Sequence, residues 1–583
     1  MKTILNPKLP RMAWFVEISE DSIPRYLEHG ASVHVSGDFV FEGTFNLDIK
    51  PLGILNSNVC LGSGFVRIGG DTTFITPSHT LEGLFVVRNE NRTFVSNSNV
   101  IAYHLADLIP THLAVKIGWR IKYGIDNMPQ QIEKTENSEI LKISFHNFRF
   151  DGAEVQLVEK SHDPEFENFS QYFDYLAKTG TSLIENLKEM HGAHWSLMGT
   201  VSTGFDSVAC LALGKKLGCT KAVTLCNGRG NVDDNGAPIA HSIGIECEEF
   251  LRPFSEQNTN TRLALDYSNL SDCAEFVSAG TLAEDVCYLP FETSIANTMV
   301  LTGFQADKSW GRKFEPSSNL ERGDVSGSSM GEFRLRVGFV HWPVPYLGCR
   351  SNKNLLKITL SDEMHEYRDT TNYNKPIAIR MADSAGIPRE LYGLKKKAAS
   401  VLFDEAPTAL PVSIYRQQVK YGLCPELSFD YSECINLCAS RLPRSGFTHQ
   451  YHKTYQSLQP RISNSAQANF QSDSIDVHVF GRTVGLVSMK LQSGTCMYDG
   501  LGGFIQNMST IDETGAVEAE YLAIKTKLLP LLRAISNKER QYIHFQYLKK
   551  TGEISAIYRE DLQFEGDVDY YLGSLWQGEK GVV

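Results

Sequence analysis

The chain has 583 residues, 42% of them apolar and 21% charged, enough for about three or four domains with sizeable cores. Its formal net charge of -12 excludes a general nucleic-acid binder, which would carry a basic stripe. No apolar run reaches the roughly 18 residues of a membrane span, and Asn6, Pro7, Lys8 and Pro10 interrupt any signal-peptide core, so the sequence predicts a cytoplasmic protein without a membrane partner.

Twelve scattered cysteines with no C-x-x-C pair fit reduced thiols packed as small hydrophobes. From about 12 to 160, stretches such as "SVHVSGDFVFEGTF" and "FVRIGGDTTFITP" alternate short apolar runs with turn residues and predict strands and hairpins. A helix follows over about 166–190, despite Gly180. Strands are then expected at 194–201, 222–228, 246–252 and 298–304, with helices after residue 205 and over 235–245. This alternation predicts a parallel sheet with helices on both faces and a ligand at the strand C-termini. Helices are expected over 362–403, with Pro376 and Pro388 in first turns. The Ser-, Asn- and Gln-rich stretch 457–474 predicts a linker, and 475–583 a small α/β domain with a helix near 517–535. The fold class is thus α/β, with a β-rich domain at 1–164 and a central parallel-sheet domain at 165–456.

Between the strand ending at Val201 and its helix lies Ser202-Thr203-Gly204-Phe205-Asp206-Ser207. Such a turn offers backbone N–H groups at a helix N-terminus, where unsatisfied donors and the helix dipole favour an anion. Gly204 permits close approach of the backbone, and Ser202 and Ser207 add hydroxyl donors. Asp206 repels phosphate and needs a metal ion between itself and such a ligand. The bland alternative for the hexapeptide alone is an ordinary Ser/Thr helix cap.

The pattern S-[GT]-G-x-D-S after a strand resembles the pyrophosphate loop of the N-type ATP pyrophosphatases. Residues 165–405 resemble the synthetase domain of asparagine and β-lactam synthetases. Asp234 with "APIAHSIG" resembles the acidic residue and helix after the second strand of that family. "LTGFQAD" resembles its second signature, with Thr302 and Gly303 near adenine and Asp307 a magnesium ligand. "KKKAAS" resembles its basic segment, with Lys396 the counterpart of the phosphate-contacting lysine. The resemblance implies an adenine nucleotide α-hydrolase-like fold and an AMP- and pyrophosphate-forming ligase. Its cofactors would be ATP, in the 202–207 loop with Asp234, Thr302 and Gly303, and Mg²⁺, bridged by Asp206 and Asp307. Its partners would be a small-molecule or peptide carboxylate and an amine, with Lys396, Asp206 and Asp307 as catalytic residues.

Two departures qualify the resemblance. The chain begins Met1-Lys2-Thr3 and its nearest cysteine is Cys60, so the β-rich domain is expected to be a degenerate glutaminase without a nucleophile. Phe304 stands where asparagine synthetases carry a glutamate base, and Arg334 where a second acid is expected, so aspartate with ammonia is a poor substrate. Either Arg334 and Arg336 wall a pocket for a substrate carboxylate, or "FRLRVGFVHWPVPYLG" is core beside the site. Cys434, Cys438, His449 and His452 have a spacing shorter than that of usual zinc sites, and His191 and His194 are expected to pack or solvate. Delivery of sulfur or another nucleophile to the adenylate is the second enzymatic reading. A non-catalytic ATP- or AMP-binding scaffold, contacting a protein partner through its C-terminal domain, is the third.

Overall fold

The computed structural model describes residues 1–424 except 20, 38, 91, 109, 111–122, 255–269, 312–316, 369–374, 394–397, 402, 404 and 405, and beyond them the strands of 474–562. The chain divides into two compact units, Met1–Arg441 and Leu442–Val583. Among the described residues no helix is long and apolar enough to cross a membrane.

The first 160 residues form two sheets. Seven strands run in the order Lys2–Leu5, Pro24–His29, Trp14–Ile18, Arg92–Ser96, Leu84–Asn89, Ser138–Ile143 and Gln130–Lys134. Six form the other, from Glu154–Val158 through Asn147–Asp151, Asp71–Ile75, Cys60–Ile68 and Phe39–Phe45 to His34–Ser36. Alternation along the strands sends Trp14, Val16, Leu84 and Val86 from one sheet against Val40, Phe65, Phe74 and Phe148 from the other. The opposite side chains Phe15, Phe85, Val87 and Phe94 belong to a larger cluster that continues into the parallel-sheet region.

The helix Phe169–His191 begins at Asn168, whose side chain accepts from the backbone N–H of Gln171. Phe169, Tyr172, Phe173, Leu176, Leu183 and Leu187 make its buried stripe. Each such side chain contributes roughly 1.5–3 kcal/mol when fully buried. Gly180 sits on this stripe because a Cβ there would stand 2.6 Å from Leu217 and 2.7 Å from the Trp342 ring. Close packing against the next layer thus outweighs the helix-propensity penalty of glycine.

A five-stranded, wholly parallel sheet follows, in the order Glu246–Phe250, Lys221–Leu225, Ser196–Thr200, Thr298–Thr302, Val340–Pro343. The first strand in sequence, Ser196–Thr200, lies at its centre, with later strands added first to one side and then to the other. The order therefore reverses between Ser196–Thr200 and Thr298–Thr302, and open sheets of this kind take their ligands outside the strand C-termini at such a switch point. The helix Phe205–Lys216 is buried nearly all round, as an apolar helix between a sheet and a second helix, Pro376–Ser384, must be.

Several elements are shorter than the sequence predicts. The helix expected over 235–245 is Ala237–Ser242, bounded by Gly236 and by Gly244 at φ +70°. Among the described residues of 362–403 there is one α-helix, Pro376–Ser384, flanked by the 3₁₀ segments Asp362–Tyr367 and Arg389–Leu391. Gly386, at φ +76°, stops the helix, and Pro388 precedes a single turn rather than opening a new helix.

In the second unit the described strands form one antiparallel sheet: Gly503–Ile505, Gly494–Asp499, Leu486–Leu491, Ser474–Phe480, Arg540–Leu548, Glu553–Leu562. The expected linker at 457–473 and the helix near 517–535 lie outside the described residues.

Candidate functional site at the switch point

Three segments meet at the reversal of strand order. The loop 202–204 and the start of the helix Phe205–Lys216 leave the central strand, and Gly303 to Asp307 leave its neighbour Thr298–Thr302. The helix cap at Gly204 carries no side-chain hydrogen bond, so the first turn presents its N–H groups without the Ser/Thr cap that the bland reading requires.

The loop is held by its own hydroxyls. Ser207 Oγ accepts from Ser202 N at 3.0 Å and shares a hydrogen bond with Ser202 Oγ at 3.0 Å, while Gly204 N donates to Ser202 Oγ at 3.2 Å. Thr203 donates to Asp234 Oδ1 through its N–H at 3.1 Å and its hydroxyl at 2.5 Å. Asp234 is buried, so its carboxylate here orients the loop. From behind, Gly393 N donates to the Thr203 carbonyl at 2.7 Å, and Tyr392 packs edge-on against the buried Phe205 ring. Five of the six loop residues are thereby tied to a named partner.

Asp206 and Asp307 come together across the switch point. Gly303 is what lets them: a Cβ there would lie 2.6 Å from Asp206 Cβ and 2.9 Å from its carbonyl carbon. Between the two acids stands a residue that the sequence reading passed over. Lys375 Nζ is 2.5 Å from Asp206 Oδ1, 2.7 Å from Asp206 Oδ2 and 2.7 Å from Asp307 Oδ1. The Lys375 side chain is 3% exposed, against 28% for Asp206 and 45% for Asp307. Burial alone would lower its pKa, but Asp206 and then Asp307 raise it well above the ordinary lysine value, so it is a permanent cation. The available signal was a lone lysine directly before the proline that opens a helix. Proline keeps the preceding residue out of helical geometry, and Lys375 has φ -133°, ψ 80°.

The strand end also carries Thr302, whose hydroxyl shares a 2.8 Å hydrogen bond with His341 Nε2. His341 Nδ1 lies 3.6 Å from Glu82 Oε1, and the edge of the ring system meets Phe304 at 5.7 Å between centroids. Phe304 therefore packs against an imidazole, Leu81 and Leu320, in an apolar wall rather than at an open acid position. Neither arginine of "FRLRVGF" faces a substrate. Arg334, itself buried, makes two hydrogen bonds to Glu42 at 2.8 and 3.0 Å, and its Nε is 2.8 Å from Glu82. Arg336 binds Glu275 at 2.5 Å and Glu292 at 2.6 and 2.8 Å. Of the two alternatives the sequence left open, the core one fits: acids from elsewhere in the chain already pair with both guanidinium groups.

Lys396, with all of 394–397, and the Cys434, Cys438, His449, His452 group lie outside the described residues. His191 packs, with Nε2 2.8 Å from the Gly43 carbonyl oxygen, and His194 is exposed. Cys60 is fully buried in its strand and offers no accessible thiol. Among the described residues no group of three or more His, Cys, Asp or Glu side chains forms a self-contained metal cage. Neither the models of known protein families nor the curated proteins contain a match to this chain.

Proposed function

We propose that the chain is an ATP-dependent ligase that adenylates a carboxylate, releases pyrophosphate and passes the acyl group to an amine, without a glutaminase of its own. One observation carries the reading: the Ser202–Ser207 loop and the acids Asp206 and Asp307 converge at the switch point of a parallel sheet, the place where this architecture takes its ligands. The resemblance to asparagine and β-lactam synthetases supports the choice of ATP and of adenylation. The burial of Cys60 supports a nitrogen donor other than glutamine hydrolysed on this chain.

The uncapped first turn at Gly204 and the Ser202 and Ser207 hydroxyls would receive the β- and γ-phosphates, with Thr203 fixed by Asp234. Asp206 and Asp307 would hold Mg²⁺: magnesium is bound through one or two carboxylates plus phosphate oxygens and water, and the gap between these acids already takes one cation. When bound, the ion neutralises charge on the departing pyrophosphate. A loop that held the β- and γ-phosphates would leave the α-phosphorus open to a carboxylate oxygen, which would form the new P–O bond as the α–β bridge breaks. The amine then attacks the acyl carbonyl and AMP departs, with Lys396, by resemblance, offsetting charge on the tetrahedral intermediate.

Incubating the purified chain with ATP, Mg²⁺ and pooled carboxylates and amines tests the reading. AMP and pyrophosphate are expected. ADP and phosphate alone, or no ATP consumption with any pool, would reject it. The internal cation Lys375 favours one second reading, a site that binds nucleotide without turning it over; nucleotide binding in the absence of any product would select that one.

A further inference from the structure

We propose that Lys375 is a resident counter-ion that shuts the nucleotide-free protein to divalent cations and yields its place only when phosphates arrive to receive it. The inference rests on the nucleotide reading above and adds an order of events to it.

The geometry makes the ammonium a competitor for the cation position. Its three contacts at 2.5, 2.7 and 2.7 Å engage both oxygens of Asp206 and one of Asp307, the same hard donors a magnesium or manganese ion would use. A divalent ion bound to those oxygens would press against a buried like charge, so the two cannot share the gap. The backbone of Lys375 is fixed, because the helix Pro376–Ser384 starts directly after it and buries Ile377, Ala378, Met381 and Ala382. The side chain is not fixed in the same way: a lysine is a compact charge on a four-carbon stem and can swing while its Cα stays in place.

Swinging away requires a new anionic partner, since a bare ammonium in this buried place would be costly. The nearest built anion site is the uncapped helix start at Gly204 to Ser207, on the same turn as Asp206. A triphosphate seated there would offer oxygens to the ammonium at the moment the carboxylates are released to the metal. Metal and nucleotide should therefore bind as one unit, and the apo site stays neutralised meanwhile.

Mn²⁺ serves as the probe, with bound ion counted by electron paramagnetic resonance. Lys375→Gln, which keeps an amide donor but no charge, should bind Mn²⁺ without nucleotide at least about tenfold more tightly than the wild type. Adding α,β-methylene-ATP should restore Mn²⁺ uptake to the wild type. Equal Mn²⁺ affinity of the two nucleotide-free proteins overturns the proposal. So does tight Mn²⁺ binding by the nucleotide-free wild type that Asp307→Asn abolishes, an arm that needs no lysine variant to fold. A fluorescent ATP analogue titrated in EDTA separates the two ideas. Failure of that binding defeats the nucleotide reading, whereas its success with equal Mn²⁺ affinities defeats only the role of Lys375.

Discussion

Two buried cations in this protein each stand between two carboxylates, and they are built for opposite ends. Arg334 joins Glu42 and Glu82, side chains 0% and 8% exposed, and seals the sandwich to the parallel-sheet region. Lys375 joins Asp206 and Asp307, whose outer faces reach solvent at 28% and 45%. The composition is the same: one cation against two carboxyl groups. What differs is who can reach the acids. The Arg334 guanidinium, planar and doubly hydrogen-bonded, is sealed from any ligand, while the point charge of Lys375 lies between acids that solvent reaches. Burial alone would raise the Glu82 carboxyl, but Arg334 and the neighbouring His341 pull it down to about 2, so that acid stays charged throughout the physiological range.

The sealed cluster should be the more damaging one to open. Arg334→Met leaves Glu42 and Glu82 without their cation, and removing one partner of a buried ion pair costs about 3–5 kcal/mol, so denaturant melts should show a loss of that size or no folded protein at all. At the open cluster, Asp206→Asn should leave the melt nearly unchanged and cut pyrophosphate release by about a hundredfold or more; unchanged release would remove Asp206 from the chemistry.

A third buried acid has no cation and responds to pH instead. Burial raises Glu332 to about 7, although Ser98, the Val100 N–H and Tyr421 donate to it. Its folded pKa exceeds the unfolded one, so its contribution is complete below about 4.5 and fades as pH climbs through 7. Relative to wild type, Glu332→Gln should therefore gain stability between pH 5 and 8, by roughly 3 kcal/mol at most. A pH-independent difference between the two melts would show that Glu332 does not titrate in this window. The mildest change is expected at Glu292→Gln. Glu292 is 39% exposed, and its partly solvated pair with Arg336 is worth about 1 kcal/mol or less in a double-mutant cycle.

The contrast also marks what the sequence could and could not disclose. The strand–loop–helix around Gly204 was legible because apolar run, small polar turn and helical spacing are all local. Asp206 and Asp307 were legible as a pair only through the order of signatures. Strand order was not, because it depends on which later strand adds beside Ser196–Thr200. The role of Arg334 was left open between core and pocket wall for the same reason: its carboxylate partner Glu42 is 292 residues away, and no local pattern announces that an arginine is already spent. Lys375 was hidden differently, as one basic residue in a helical stretch quoted for its prolines. Phe304 was rightly seen to lack a proton-accepting group, but the His341 and Thr302 pair behind it could be found only in space.

Gly303 has a further consequence. Backbone meets side-chain root there, with an added Cβ 2.6 Å from Asp206 Cβ, so the spacing of the two acids is machined by main-chain contact instead of being left to rotamers. Position 303 is in effect a shim. Alanine in its place would wedge the two strand ends apart by a fraction of an ångström, without touching any charge. If Asp206 and Asp307 bridge a divalent ion as proposed, that tolerance would set which size of ion fits between them, through a residue that never meets the cation.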